Sequence, residues 1–294
     1  MNKIISRLLV FFIGVPAVIA IIFMPFFNHV MLHLLICAVS AVAAGELHDL
    51  FSIKSILLPK KYIIGCSIFI PLVAAVQYAA APAAGMKFYA GQELITFAYI
   101  ITILVSLALE VFTAKSFEHS IEKISLSVFI ITYTGFLLSF VSRMTAWTLD
   151  GKSIADQVVC VYILMVFMCD SIAWLFGMLL GKNNRGVVKA SPNKSRMGFL
   201  GGFVGAAAAG LFGYVMWPGI FSGPVFKIIL TGICIALSSI VGDLTESVFK
   251  RAANIKDSGK IIPGRGGMLD SIDSIVMSAP VYYLLVSVLF GPFS

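Results

Sequence analysis

The sequence predicts an all-α, polytopic integral membrane protein with about nine transmembrane helices and a cytoplasmic N-terminus. Three observations lead there. Hydrophobic residues are 60% of the 294 and charged residues 12%, about half the charged share of soluble domains. Mean hydropathy is +1.01, so too few polar groups remain to cover a water-facing surface of this size. Finally, the positive charges alternate strongly between the segments that separate the apolar runs.

A spanning helix needs about 20 mostly apolar residues. Nine runs approach that length: Ile4–Phe27, Val30–Ala44, Tyr62–Ala84, Leu94–Phe112, Ile124–Val141, Val158–Leu180, Phe199–Phe221, Val225–Val241 and Ile275–Phe290. The first follows Lys3 and Arg7 like a signal peptide, but it runs well past the small residues Ala17 and Ala20 and reads as an uncleaved span. With the N-terminus inside, 17 of the 21 Lys and Arg fall on the cytoplasmic side, leaving only Lys87, Arg143, Lys152 and Lys227 outside. One span more or fewer would reverse that alternation, so the net charge of +7 reads as sidedness and not as nucleic-acid binding. The chain divides into residues 1–157, with five spans, and residues 158–294, with four spans and the cytoplasmic segments 181–198 and 242–273. Gly198, Gly202, Ala206 and Gly210 recur every four residues, a smooth face for close helix packing.

Cys37, Cys66, Cys160, Cys169 and Cys234 lie in apolar stretches without metal-ligand spacing and read as small buried hydrophobes. His29, His33, His48 and His119 are scattered, and no Walker A or dinucleotide glycine motif occurs. Glu46, His48 and Asp49, at the inner end of the second run, read as a solvated interfacial cluster.

Chemistry concentrates in the last cytoplasmic segment. Asp243, Ser247, Lys250 and Arg251 fall at i, i+4, i+7 and i+8, one face of a helix that continues the eighth span. Asp270 and Asp273, at i and i+3, begin the ninth. Between them Lys256, Asp257, Arg265, Gly266 and Gly267 lie in a glycine-rich link whose backbone N–H groups can approach an anion. Carboxylates beside lysine and arginine suit polyphosphate chemistry, the acids holding a hard divalent cation and the bases holding phosphate. Asp170 lies within the sixth span, at an insertion cost of about 2.5–3.5 kcal/mol that marks it as a functional candidate. Lys189, Ser191, Lys194 and Ser195 follow in a basic loop just before the next helix, a setting for an anion.

These motifs together resemble the phosphatidate cytidylyltransferase (CDP-diacylglycerol synthase) family. The resemblance runs through Ser247-Val-Phe-Lys-Arg251, Lys256-Asp257, Gly259, Ile262-Pro263, Arg265-Gly-Gly-Met268 and Asp270-Ser-Ile-Asp273 with spacing kept, and upstream through Asp170-x-x-Ala-Trp-x-x-Gly177 and Ser191-Pro-Asn-Lys-Ser195. Two positions depart: Arg265 where that family carries His, and Ser271 where it carries Arg. The resemblance implies that CTP and phosphatidate give CDP-diacylglycerol and pyrophosphate, with Mg²⁺ and a possible second cation such as K⁺. It implies Asp243, Asp270 and Asp273 as metal ligands and Lys250, Arg251 and Lys256 on the phosphates. Asp170 and the Ser191–Ser195 loop would line the site. Membrane lipids, but no nucleic acid, are the other expected partners, and a homodimer is left open. The expected location is a bacterial plasma (inner) membrane with the site facing the cytoplasm. Two other readings stand beside it: a CTP-dependent lipid or polyprenol kinase, which would release CDP, and an anion transporter.

Overall fold

The computed structural model describes residues 13–80, 82, 85, 93–262 and 266–293. Among them eight helices are long and apolar enough to cross a membrane: α2 (Val30–Phe51), α3 (Lys60–Ala80), α4 (Leu94–Thr113), α5 (Ser120–Met144), α6 (Ala155–Leu180), α7 (Arg196–Met216), α8 (Phe226–Ala252) and α9 (Leu269–Phe290). Of the expected first span, Ile4–Phe27, residues 4–12 lie outside the described residues; within the described part a short helix, α1 (Val15–Ile22), ends before the turn at 23–29. Among the described residues the protein is all-α, apart from a two-stranded hairpin, β1 (Thr148–Leu149) and β2 (Lys152–Ser153). The second span is longer than its apolar run suggests, because Gly45–Phe51 extend the helix beyond Ala44. The predicted polar segment 242–273 is helical at both ends: α8 runs to Ala252 and α9 starts at Leu269, with residues 253–268 linking them. The i,i+4 pair of Glu246 with Lys250 supports that extension.

Two compact units divide the chain. The first is Met1–Arg143 with Ala252–Ser271; the second is Met144–Arg251 with Ile272–Ser294.

In the first unit, α4 turns polar groups inward and apolar groups outward, the reverse of a helix in a soluble bundle. On α4, Phe97, Ile101, Leu104 and Val111 are exposed, the face a spanning helix gives to lipid. Ala98, Thr102, Ser106 and Glu110, four residues apart, are buried. Each polar member finds a partner, as backbone and side chains must away from water. Ser106 Oγ donates to Thr102 O at 2.7 Å and lies 2.9 Å from Tyr62 Oη, while Glu110 pairs with Lys123 at 2.5 Å. α2, α3 and α5 meet at Ser67, whose carbonyl accepts from Ser40 Oγ at 2.9 Å. Thr134 Oγ1 donates to the Ser67 hydroxyl at 3.1 Å. Beside it Gly135 comes so close that a Cβ would sit 2.8 Å from the Ser67 carbonyl oxygen.

The second unit rests on α6 and α7. Gly201 packs so that a Cβ would lie 2.6 Å from Ile172 O; Gly205 lies against Met168 O, and Gly213 would meet Val161 at 2.6 Å. The two backbones therefore approach at Gly201 and Gly205, beside the expected face. Gly198, Gly202, Ala206 and Gly210 are buried as packing residues, but a Cβ on Gly202 or Gly210 would meet side chains first, and only one on Gly198 would near an α6 carbonyl, Ala173 O at 3.1 Å. α9 joins α6 through two buried tyrosines: Tyr162 Oη donates to Ile275 O at 2.5 Å, and Tyr282 Oη to Val158 O at 3.1 Å. Their ring centroids are 5.0 Å apart. At the far end of α9, Lys227 Nζ donates to Leu289 O at 2.6 Å, placing a cation where the helix leaves its last carbonyls. All five cysteines are free thiols; Cys169 is buried and the other four half-buried, in keeping with an apolar role.

Candidate functional site

The second unit holds a cavity of about 510 Å³ where α6, α7, α8 and the loop between α6 and α7 meet. Asp170, Lys194 and Asp243 contribute its charge, with Arg185, Ser191 and Ser195 around them. Asp170, the acid inside the sixth span, therefore opens into a cavity and not into lipid. The wall beside it is built of small residues, Ala173, Gly177 and Gly198, so that glycine here makes room as well as allowing approach.

The loop has a defined fold. Ser195 caps α7: its Oγ accepts from Gly198 N–H at 3.0 Å. Arg185 pairs with Ser195, and Val188 with Ser191, in isolated antiparallel bridges. Gly186, at φ +80°, turns the chain so that its N–H donates to Pro192 O at 2.9 Å. That turn brings Lys194 inward, where its Nζ donates to the Asp243 carboxylate in an ion pair. Burial pushes the Lys194 ammonium below its ordinary range; Asp170 and Asp273 act the other way, and Lys250 adds to the lowering. Lys194 is thus the cation at the centre of a set of acids.

α8 delivers its candidates as expected. Asp243, Ser247, Lys250 and Arg251 lie on its last turns, with Lys250 paired to the buried Glu246. Arg251 Nε donates to Ala190 O at 3.4 Å, joining α8 to the basic loop that carries the exposed Lys189. Asp273 is buried on the first turns of α9, its Oδ1 accepting from Ser274 N–H at 2.6 Å. α8 and α9 touch there: a Cβ on Gly242 would stand 2.5 Å from Asp273 O. Asp243 follows immediately on α8. The second unit therefore gathers Asp170, Lys194, Asp243, Lys250 and Asp273, charges that sequence places in three separate segments.

The first unit holds the rest. Lys256 and Asp257 are exposed in the link, and Arg265 lies outside the described residues. Asp270 ties the link to α9, its Oδ2 accepting from Gly267 N–H at 2.7 Å, Ser258 Oγ at 2.9 Å and Ser258 N–H at 3.0 Å. Gly266, at φ +110°, closes a bridge with Ile262 in which each N–H donates to the other carbonyl. A Cβ at Gly266 would stand 2.5 Å from Asp270 Oδ2, so glycine is required on both counts.

Asp243, Asp270 and Asp273 offer only hard oxygen donors, which suits Mg²⁺. Among the described residues no group of three His, Cys, Asp or Glu side chains is gathered closely enough to hold a metal ion. Lys194 already neutralises Asp243. The donor chemistry fits a divalent cation; a finished cage is not built.

One residue departs from expectation. Glu46 was expected in a solvated interfacial cluster with His48 and Asp49. Asp49 fits, exposed and 2.5 Å from Lys60, but Glu46 is only 7% exposed. Its carboxylate accepts from Met268 N–H at 3.0 Å and Leu269 N–H at 2.9 Å, with Ser258 Oγ at 3.4 Å. Its partners lie more than 200 residues along the chain. Hydropathy cannot see that pairing; the one available signal was an acid within reach of a helix N-terminus short of N–H acceptors.

Several known proteins are similar to this chain. A Synechocystis protein named phosphatidate cytidylyltransferase is 40% identical over 129 residues, 42% of this chain and 41% of its own length. A Rickettsia typhi protein of the same name is 33% identical over 199 residues, 64% of this chain and 80% of its own length. An uncharacterized Escherichia coli protein is 29% identical over 177 residues, 58% of this chain and 55% of its length. The chain spans less than half the length of several of the curated relatives it matches. A match to the family model described as the cytidylyltransferase family extends much further, over residues 5–289, and the chain belongs to that family.

Proposed function

We propose that the protein is a phosphatidate cytidylyltransferase, joining the CMP part of CTP to phosphatidate and releasing pyrophosphate. The observation that carries this reading is the charged cavity of Asp170, Lys194 and Asp243 at the end of membrane-crossing helices, where a dissolved polyphosphate and a lipid phosphate could both enter. Relatives bearing that name support it.

An oxygen of the phosphatidate phosphate attacks the α-phosphorus of CTP. The bond from that phosphorus to the oxygen bridging the β-phosphate breaks, and pyrophosphate leaves with the electron pair. Lys194, Lys250 and Arg251 hold the phosphates in line and offset their charge. Ser191, Ser195 and Ser247 supply hydroxyl donors near those oxygens, and Lys189 and Lys256 add positive charge at the approach. Asp243 and Asp273 would hold Mg²⁺, with Asp270 as the third acid the resemblance implies and K⁺ as a second cation; when bound, the metal would supply positive charge to offset that of the polyphosphate. Lys194 then exchanges Asp243 for phosphate as substrate enters. The charge distribution supports a site on the cytoplasmic face of a bacterial plasma membrane.

The test uses purified protein in detergent with phosphatidate and radiolabelled CTP, with and without Mg²⁺. Lipid-extractable cytidine label with one pyrophosphate per turnover is the expected result, abolished by EDTA and by Asp273→Asn. Release of CDP would identify a lipid kinase instead, and neither product would leave the transporter reading.

A further inference from the structure

We propose that Glu46 is a positioning residue: from the end of α2 its carboxylate clamps the link between α8 and α9 and so sets the orientation of Asp270. The residue lies far in sequence from the motifs that carry the chemistry, and nothing in the proposed reaction calls for it.

The geometry gives the clamp three points. Oε1 accepts from Met268 N–H, and Oε2 accepts from Leu269 N–H and Ser258 Oγ. Met268 and Leu269 open α9, whose first N–H groups have no partner within the helix, so a carboxylate there meets both orphan donors and the positive end of the dipole. Ser258 is shared: the same hydroxyl that reaches Glu46 lies 2.9 Å from Asp270 Oδ2. The hydroxyl has one proton, directed mainly to Asp270 with Glu46 as the longer contact at 3.4 Å, so a shift of Glu46 reaches Asp270 through a single side chain.

The link is also shaped around this carboxylate. A Cβ on Gly259 would meet Glu46 Oε1, and one on Gly267 would meet Oε2 and the Ser258 hydroxyl, both inside contact distance. Two glycines from different turns leave space at one acid. A solvated carboxylate would need no such space. A nearly buried one must be fully hydrogen-bonded, and here each oxygen has a donor. Because Glu46 takes up the Met268 and Leu269 donors, Asp270 Oδ2 is left to bind Ser258 and Gly267, which holds the carboxylate in place.

The experiment compares wild type, Glu46→Gln, Ser258→Ala and the double variant as full-length protein in detergent, with Asp49→Asn as the neighbouring control. Hydrogen exchange across residues 266–270 reads the clamp without any turnover. Glu46→Gln presents an NH₂ where an acceptor is required, and exchange there should quicken at least about tenfold while Asp49→Asn leaves it unchanged. The kinetic arm rests on the cytidylyltransferase reading. There Glu46→Gln should lower kcat about 10–100-fold and raise the Mg²⁺ midpoint about tenfold, with little change in KM for CTP, as expected for a residue that orients a ligand. Ser258→Ala should act in the same direction, and the double variant should lose less than the product of the two single losses. Faster exchange with an unchanged Mg²⁺ midpoint would make Glu46 a fold-holding residue and overturn the proposal; unchanged exchange would overturn it outright. If Glu46→Gln does not fold, Ser258→Ala alone decides by the same measurements. Should wild type make no CDP-lipid, the function reading fails while the exchange arm still judges the clamp.

Discussion

Glycine serves opposite ends in two regions of this molecule. Along α7, Gly201, Gly205 and Gly213 recur at helical spacing and face the backbone or branched side chains of α6. In the α8–α9 link, Gly259, Gly266 and Gly267 follow no period, and what they face is carboxylate: Glu46 or Asp270. The first set removes Cβ atoms so that two helices can pack in a medium that supplies no hydrophobic drive between them. The second removes them so that charged oxygens can reach main-chain N–H groups. Periodic glycine therefore reports fold, whereas irregular glycine beside acids reports a site.

The widest test of that contrast is Gly205→Val. Its branched side chain would press on the Met168 carbonyl, with no flexible group to yield. Backbone overpacking of this kind costs about 3 kcal/mol. Thermal unfolding in detergent should shift strongly downward, and because α6 and α7 wall the cavity, activity should go with it. Gly267→Ala should separate the two properties: a methyl there displaces Glu46 and Ser258, so turnover should fall about 10–100-fold while the unfolding temperature changes little. A Gly267→Ala protein that unfolds as readily as Gly205→Val would erase the distinction between the two glycine sets.

The fold was largely legible because spanning helices announce themselves. Apolar length and the sidedness of Lys and Arg mark them without tertiary information, and α3 to α9 fall where those signals place them. The ends were less legible. Polar residues at a membrane edge look like loop, yet Gly45–Phe51 continue α2 past its apolar run, whereas the one-face spacing of Asp243, Ser247, Lys250 and Arg251 did mark the end of α8. The site was legible where its acids and bases are close in sequence, as with Asp243, Lys250 and Arg251. The Lys194–Asp243 pair joins segments 49 residues apart, and each partner stands out alone but not as a pair. Glu46 escaped altogether. Its value comes from N–H donors of α9, and a main-chain donor leaves no mark on the residue letters.

Two smaller substitutions sharpen the comparison by removing glycine where nothing presses on it. Gly186 has open space around its would-be Cβ but a φ of +80°. Gly186→Ala should therefore cost only the left-handed penalty, about 1–2 kcal/mol. It loosens the turn that aims Lys194, so KM for CTP should rise more than stability falls. Gly65 is the mildest case. It lies within α3, exposed, with no atom within 4 Å of where a Cβ would stand and no positive φ. Nothing in either glycine role applies, so only helix propensity remains. Gly65→Ala should stabilise α3 by about 0.5–1 kcal/mol and leave turnover at the wild-type value, read by thermal unfolding and the same CTP assay. A loss of either property would mean that glycine at Gly65 meets a contact of a third kind, with lipid or with a second protein, and the two-role account would have to widen.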